Sequence, residues 1–142
     1  MTGPPQKAKI TAYRTSMEGE VSKILVCDDT PDILEMVQLI LETEGFEVRT
    51  ASAGREVLTA LAQEIPDLVL LDLRMPGLDG FGVLRELRLR SEPAPPVIIL
   101  SAKSMEEDRQ AALAAGAKGY LLKPFTVTQL VDAVRQQIGA AG

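Results

Sequence analysis

From residue 23 onward, short apolar runs alternate with longer segments in which apolar residues recur at helical spacing. Each run has four to six residues, and the runs lie at 23–27, 46–51, 68–72, 97–100 and 119–122. Runs of this length between turn residues are typical of buried strands. The pattern therefore predicts five strands, each followed by a helix.

The first helix shows the clearest periodicity, with one apolar stripe from Ile33 to Leu41. Thr30 is expected to cap this helix, with Pro31 at its first position and Gly45 at its end. The remaining helices are predicted at 54–63, 79–90, 105–115 and 127–138. Capping-box spacing marks the start of the last two, through Ser104 with Glu107 and Thr126 with Gln129.

The order of these elements predicts the fold class. Continuous apolar strands linked by helices imply a parallel sheet that is covered on both faces. Right-handed crossovers then give an α/β fold, a doubly wound (βα)5 sandwich. We expect its five-stranded parallel sheet to have the common order 2-1-3-4-5.

The chain is predicted to contain one domain, at 23–138. Residues 1–22 have neither strand nor helix periodicity, so we expect a mobile N-terminal extension, and 139–142 form a short C-terminal tail. The apolar runs are far shorter than the roughly 20 residues that cross a bilayer, and the start has no apolar signal core. We therefore expect a cytoplasmic domain, either stand-alone or part of a longer protein.

Composition narrows the chemistry that this domain can perform. The chain has 142 residues, a net charge of −5, one cysteine and no histidine. The lack of histidine excludes Ser-His-Asp and Cys-His nucleophilic sites and histidine-based metal sites. The negative charge disfavours direct nucleic-acid binding by this domain. Any reaction must therefore use carboxylates, hydroxyls and lysines.

Three carboxylates are predicted to meet at one edge of the sheet. Asp28 and Asp29 follow the first strand and Asp72 ends the third, and these strands are neighbours where the strand order reverses. An aspartate after a strand is often only a turn former or a helix cap. However, two like charges about 4 Å apart repel by roughly 4 kcal/mol at an effective dielectric constant of 20. A divalent cation relieves this repulsion, and a site with few carboxylates suits Mg²⁺.

Ser101 and Lys123 follow the fourth and fifth strands, so they are expected at the same edge. Each alone is usually an ordinary strand-end residue. Together with Asp72 as a nucleophile and a metal ion, they provide the groups needed to accept and stabilise a phosphoryl group. A nucleotide-binding loop is not indicated, because the turn CDDTPD after the first strand has no glycine.

Four motifs stand in order along the chain: ILVCDD, VLLDLRMPGLDG, VIILSA and GAKGYLLKPF. With these motifs, residues 23–138 resemble the receiver domain of bacterial two-component response regulators, of the chemotaxis-regulator type with a flavodoxin-like fold. The strand order given above is that of this family, so the two expectations are not independent.

The resemblance implies that Asp72 accepts a phosphoryl group from a phosphohistidine. Asp29 and Asp72 would bind Mg²⁺ directly together with the backbone carbonyl of Arg74, and Asp28 would act mainly through a coordinated water. The domain would then be a signalling phosphoacceptor that catalyses only its own phosphorylation and dephosphorylation, not an enzyme with other substrates.

The resemblance also implies a conformational switch. Ser101 would move toward the phosphoryl group, Lys123 would pair with that group, and Tyr120 would turn inward. The surface around helix 4, strand 5 and helix 5 would then control an output, with the alanine-rich helix 4 shifting. Tyr120 taken alone could be only a half-buried strand tyrosine. The peptide bond between Lys123 and Pro124 is expected to be cis.

The implied partners are a sensor histidine kinase or phosphotransfer protein, and an output protein or effector domain that the sequence does not identify. No membrane contact is expected. The oligomeric state stays open between a monomer and a phosphorylation-dependent dimer, because the segment 116–119, Gly-Ala-Lys-Gly, stands where family members that dimerise through the last two helices and strand five often carry acids. Arg74 and Lys103 flank the phosphoryl site and are expected to modulate hydrolysis.

Two alternatives were weighed against this function. A phosphatase or phosphomutase with an aspartate nucleophile requires a second acid two residues later, and Arg74 stands there. A phosphorylation-independent pseudo-receiver, acting only as an interaction module, usually lacks a pocket acid or the lysine. All of these residues are present here.

Overall fold

The computed structural model describes residues 21–90, 93–102 and 106–138. Within them, five strands alternate with five helices: β1 (Lys23–Cys27), α1 (Pro31–Thr43), β2 (Glu47–Ala51), α2 (Gly54–Gln63), β3 (Leu68–Asp72), α3 (Gly80–Leu89), β4 (Val97–Ser101), α4 (Glu106–Ala114), β5 (Gly119–Leu122) and α5 (Val127–Ile138). The predicted alternation is therefore confirmed. The expected extension up to residue 20, the 139–142 tail, Lys103 and the capping role of Ser104 lie outside the described residues.

All five strands form one parallel sheet in the order β2-β1-β3-β4-β5, as predicted. In this order β1 lies beside β3, with Cys27 opposite Leu71. Because parallel strands end at the same edge, the residues that follow β1 and β3 are brought together there. The sheet thus positions the acids that the sequence separates by more than forty residues.

Each face of the sheet is covered by its own apolar cluster. Leu25 and Leu71 point into the cluster covered by α2, α3 and α4, whereas Ile24 and Leu70 point into the cluster covered by α1 and α5. Alternate residues of one strand thus enter opposite clusters, which explains why these strands are apolar throughout. Of the helices, α4 contributes least to the core, because Ala112 is its single buried residue.

The two ends of α1 differ in how well they match the prediction. Thr30 occupies the N-cap position with Pro31 next, but in the described structure its side chain makes no capping hydrogen bond, so that part of the prediction is wrong. The end was predicted correctly: Gly45 has φ 99°, and the Phe46 N–H donates to the Leu41 carbonyl at 3.0 Å. Phe46 therefore belongs to the helix end, and β2 begins one residue later than predicted.

Most of the other predicted boundaries match the structure, and those that differ do so by one residue. Asp79 and Arg90, predicted inside the third helix, flank α3 as caps, and the Asp79 carboxylate accepts from the Gly82 N–H at 2.9 Å. Ser101 belongs to β4, which was predicted to end one residue earlier. The capping box before α5 is confirmed in both directions. The Thr126 N–H donates to Oε1 of Gln129 at 2.9 Å, and the Gln129 N–H donates to the Thr126 hydroxyl oxygen at 3.0 Å.

In the described part of the chain, no helix is both long and apolar enough to span a membrane.

Candidate functional site

Asp28, Asp29 and Asp72 meet at the carboxyl edge of the sheet, as the sequence predicts. Each offers a carboxylate oxygen, and these oxygens lie within 4.8 Å of one another. Asp28 is fully buried and Asp72 is 5% exposed, whereas Asp29 faces solvent. Two of the three charges are therefore screened little by water, which makes their mutual repulsion costly.

Lys123 provides the positive charge in this pocket. Its Nζ lies 2.7 Å from Oδ2 of Asp28 and 3.3 Å from Oδ1 of Asp72. The residue is held where β5 ends, because its backbone N–H donates to the Ser101 carbonyl at 2.7 Å. The following peptide bond, to Pro124, is cis as predicted. One ammonium group thus bridges two carboxylates that belong to different strands.

Both carboxylate oxygens of Asp28 have protein donors. Oδ2 accepts from Lys123, and Oδ1 accepts from the backbone N–H of Thr30 at 2.9 Å. Buried acids are stable only when such donors satisfy them. Asp29 presents its carboxylate to solvent instead. Of the two neighbouring acids, Asp29 is therefore better placed for direct contact with an ion, and Asp28 for contact through water.

The pocket changes the acidity of the groups within it. Burial and the nearby charge of Asp28 raise the pKa of Asp72 from its ordinary 3.8 to about 6, although Lys123 and the backbone N–H of Arg74 oppose the shift. Burial lowers the pKa of Lys123, but the contacts with Asp28 and Asp72 outweigh it and leave that pKa raised. Lys123 therefore stays charged at neutral pH, while Asp72 carries a charge that the fold compensates incompletely.

Cys27 lies directly before Asp28 and is also buried, but it is not an alternative nucleophile. Burial, followed by the neighbouring carboxylates, raises the pKa of its thiol to about 12. A thiol reacts as the thiolate, which is scarce at neutral pH when the pKa is so high. The Cys27 sulfur instead packs 3.5 Å from the sulfur of Met75.

The loop between β3 and α3 closes tightly against Asp72. Gly77 turns the chain with φ 76°, and Gly80 begins α3 beside the backbone of Asp72 and Leu73. A Cβ added at Gly80 would lie 2.8 Å from the Asp72 carbonyl oxygen and 2.9 Å from the Leu73 Cα. These glycines therefore serve a turn and the entry to α3. The Arg74 carbonyl lies in this same loop.

Ser101 and Tyr120 lie on the two strands that follow β3 in the sheet. Ser101 ends β4 and is 1% exposed, at the same edge as the acids. Tyr120, in β5, pairs with Ile99 and packs half-buried against the cluster beneath α2, α3 and α4. The structure thus places Ser101 at the same sheet edge as the acids and Tyr120 on the neighbouring strand β5.

Sequence reasoning missed one contact that reaches this site. The Arg74 guanidinium pairs with Asp108, in the first turn of α4, at 3.5 Å between Nη2 and Oδ2. The two residues are separated by 34 positions and neither belongs to a motif that pairs them. Arg74 was singled out only for its carbonyl and its position near Asp72, and no sequence signal identifies Asp108.

An apolar cleft of about 410 Å³ adjoins the acid pocket. It lies between α1 and the start of the β5–α5 loop, and its lining is Ile33, Met36, Ala102, Lys123, Pro124 and Phe125. Lys123 thus borders both the acids and this apolar surface. A partner that fills the cleft would contact Lys123, which pairs with Asp72.

The donor groups of the pocket fit a hard divalent cation. They are carboxylate oxygens, the ligands that Mg²⁺ prefers, and they are close enough to share one ion. Burial and, after it, the charge of Asp28 raise the pKa of Asp72, so a cation at this point would favour its carboxylate form. The acidic cluster could therefore hold a metal with Asp28, Asp29 and Asp72 around it.

Comparison with known proteins agrees with the fold and identifies a family. The family model described as the response regulator receiver domain matches residues 24–135. The chain is 38% identical over 125 residues to the probable transcriptional regulatory protein TcrX of Mycobacterium tuberculosis, covering 88% of this chain and 53% of TcrX. It is 40% identical over 116 residues to the DNA-binding response regulator MtrA of Mycolicibacterium smegmatis, covering 82% of this chain and 50% of MtrA.

Solved structures give the same result. The chemotaxis protein CheY4 of Vibrio cholerae superposes with a TM-score of 0.78 at 32% identity, covering 83% of this chain and 99% of CheY4. The chain thus spans about half the length of the curated relatives and nearly all of the chemotaxis protein. The family match, the order of the strands and the acid pocket together establish that this chain belongs to the receiver domains of two-component response regulators.

Proposed function

We propose that Asp72 accepts a phosphoryl group from the phosphohistidine of a partner protein, in a reaction that depends on Mg²⁺. The observation that carries this proposal is the bridge from Lys123 to Asp28 and Asp72, at 2.7 and 3.3 Å. Two buried acids and one ammonium at a sheet edge have little structural benefit, because an apolar pair of similar volume is often equally stable. The ammonium group, together with a divalent cation held by the acids, is suited to a group that brings its own negative charge.

The metal would be held by Asp29, Asp72 and the backbone carbonyl of Arg74, with Asp28 acting through water. The exposure of Asp29, and the two protein donors on Asp28, support this division of roles. When bound, the ion supplies positive charge that offsets the carboxylates and the phosphoryl oxygens.

In the proposed transfer, a carboxylate oxygen of Asp72 attacks phosphorus and an acyl phosphate bond forms. The bond from phosphorus to the donor imidazole breaks, and its electron pair stays on the imidazole nitrogen. Lys123 pairs with the phosphoryl oxygens and the Ser101 hydroxyl donates to them. Hydrolysis reverses the signal: water attacks phosphorus, phosphate leaves and the Asp72 carboxylate is regenerated. The domain thus catalyses only its own phosphorylation and dephosphorylation.

The proposed response to this chemistry is a switch of the surface formed by α4, β5 and α5. Ser101 follows the phosphoryl group, and Tyr120 turns into the space beside β4. Inverting a population from 1:99 to 99:1 requires about 5.5 kcal/mol of differential stabilisation. One hydrogen bond does not supply this amount, but the contacts from Ser101 and Lys123 together with the metal do. The slight burial of α4 supports its role as the mobile part.

The partners we propose follow from the family and from the chain's relatives. The phosphoryl donor is a sensor histidine kinase or a phosphotransfer protein, since this chain has no histidine of its own. The apolar cleft beside Lys123 is a suitable contact for such a donor. Because MtrA is named as a DNA-binding response regulator, we propose that the output is a DNA-binding domain. The site of action is the cytoplasm, and the receiver acts as a monomer or a phosphorylation-dependent dimer.

The proposal is tested by intact mass after incubation with acetyl phosphate, with and without Mg²⁺, in the wild type and in Asp72→Asn. One phosphoryl adduct that requires both Mg²⁺ and Asp72 is the expected result. An unmodified wild type, also after incubation with a panel of phosphorylated histidine kinases, would instead support the pseudo-receiver function. Turnover of an external phosphoester would support a phosphatase.

A further inference from the structure

The ion pair between Arg74 and Asp108 links the phosphoacceptor loop to α4. Arg74 lies two residues after Asp72, and Asp108 lies in the first turn of α4. The Arg74 side chain is 58% exposed and that of Asp108 is 22% exposed. This contact therefore connects the point of proposed modification with a helix that the core holds weakly.

The acid pocket competes with Asp108 for the same guanidinium group. Arg74 follows Asp72 by two residues, in the loop that closes against Asp72, so its long side chain starts beside the pocket. Among the described residues, that pocket contains the carboxylates of Asp28, Asp29 and Asp72 and the ammonium group of Lys123. A phosphoryl group on Asp72 carries about −1.5 to −2 charges with three acceptor oxygens, a good match for the guanidinium fork. Phosphorylation thus increases the attraction of Arg74 toward the pocket.

Helix α4 is sensitive to the loss of a single contact. Ala112 is its one buried residue, and three acids, Glu106, Glu107 and Asp108, occupy its first turn. Glu106 contacts Arg109 of the same helix, so that pair does not tie α4 to the rest of the domain. The contact from Asp108 to Arg74 does tie it.

We propose that Asp108 is a positioning residue that holds the Arg74 guanidinium away from Asp72. A phosphoryl group at Asp72 draws Arg74 off Asp108, and the first turn of α4 loses its tether to the acceptor loop. The ion pair thereby couples the chemical state of Asp72 to the mobility of α4. This coupling rests on the proposed function of Asp72 as phosphoacceptor.

The coupling is measured with beryllofluoride, a phosphoryl mimic, in the presence of Mg²⁺. Its affinity is determined for the wild type, Asp108→Asn, Arg74→Met and the double variant. Asp108→Asn should bind the mimic about two- to five-fold more tightly, because Arg74 no longer has to leave a partner; this range corresponds to one surface ion pair. In the Arg74→Met background, Asp108→Asn should leave the affinity for beryllofluoride unchanged. Glu107→Gln, which removes the same charge from the same turn, is the matched control and should leave the affinity unchanged.

Hydrogen exchange of the α4 amides provides a second readout. In the wild type, exchange of the α4 amides that are hydrogen-bonded within the helix should rise when beryllofluoride binds, whereas in Asp108→Asn it should be high already. Equal affinities in the wild type and Asp108→Asn, or an equal effect with and without Arg74, would overturn the coupling while leaving Asp72 as acceptor. A wild type that does not bind beryllofluoride with Mg²⁺ would overturn the proposed function itself. Circular dichroism of each variant serves to check that it is folded.

Discussion

Lys123 and Asp28, 95 positions apart in the chain, are joined by a contact of 2.7 Å between Nζ and Oδ2. The same ammonium group lies 3.3 Å from Asp72. It is therefore the internal cation that makes the pocket tolerable in the absence of a metal. Removing one member of a buried ionic group leaves the others uncompensated, which costs more than the group contributes as a whole.

Lys123→Met should destabilise the domain. In EDTA we expect the free energy of unfolding to fall by about 2 kcal/mol. This is less than the full cost of leaving a buried charge without a partner, because the Lys123 side chain is 18% exposed and solvent reaches the site. Urea denaturation at pH 7 measures this loss, and Mg²⁺ should restore part of it. The matched control is Lys118→Met, at an exposed position, which should change stability little. Equal losses in the two variants would contradict the role assigned to Lys123.

Asp72→Asn should stabilise the metal-free domain at neutral pH. The folded-state pKa of Asp72 is raised from 3.8 to about 6, so the folded protein binds the proton more tightly than the unfolded chain does. Wild-type stability is therefore lost as pH rises from about 4 to about 6, by about 3 kcal/mol at most. Asn does not titrate and avoids this loss.

The two proteins should consequently have similar stability near pH 4 and diverge up to about pH 6, with a constant difference above it. Thermal or urea unfolding in EDTA across this range tests the sign. Mg²⁺ should narrow the difference at pH 7 by stabilising the wild-type carboxylate. A wild type that is the more stable protein at pH 7 in EDTA would show that Lys123 fully compensates Asp72.

Gly80→Ala should displace the backbone at the end of β3, which carries Asp72. The added Cβ would meet backbone atoms of Asp72 and Leu73, which cannot move without shifting the end of β3. We expect a loss of about 2 kcal/mol in stability, typical of overpacking, and slower phosphorylation. Gly82→Ala is the control on the same helix, because its Cβ would meet side-chain atoms and no backbone: the Leu78 side chain, which can rotate away, and the Asp79 carboxylate at an ordinary contact distance of 3.5 Å. Similar losses of stability in both variants would show that substitution of a glycine in α3, and not the contact with the β3 backbone, causes the loss.

The two predicted threonine caps should differ in their energetic contribution. Thr126→Ala removes an observed capping bond to the Gln129 N–H and should cost about 1 kcal/mol. Thr30→Ala should cost less than about 0.5 kcal/mol, since the side chain makes no capping bond in the described structure and the backbone N–H that donates to Asp28 remains. Chemical denaturation of both variants gives the comparison, and equal costs would mean that Thr30 contributes through another contact.

The sequence predicts most of this fold because its signals are local and repeated. Apolar runs and helical stripes locate all the described elements, and the parallel order then brings Asp28, Asp72 and Lys123 together without any knowledge of side-chain contacts. The errors have local physical causes. Thr30 was expected to cap α1, but the N-cap position does not compel its hydroxyl to reach a free amide.

What the sequence does not predict is the contact between Arg74 and Asp108. Two opposite charges separated by 34 positions are common in any chain, and only the packing of α4 beside the β3–α3 loop selects this pair. The same applies to the cleft beside Lys123, whose lining comes from three separate segments. Such features depend on where elements lie relative to one another, which periodicity does not specify.

The central claim is that Asp72 carries the phosphoryl group, and the most direct test is to locate that group chemically. After phosphorylation in Mg²⁺, borohydride reduces an aspartyl phosphate to homoserine, and peptide mass spectrometry identifies the converted residue. We predict homoserine at position 72 alone, formed only when both the phosphodonor and Mg²⁺ are present. Homoserine at Asp28 or Asp29 instead, or a phosphorylated protein in which no aspartate is converted, would contradict the account.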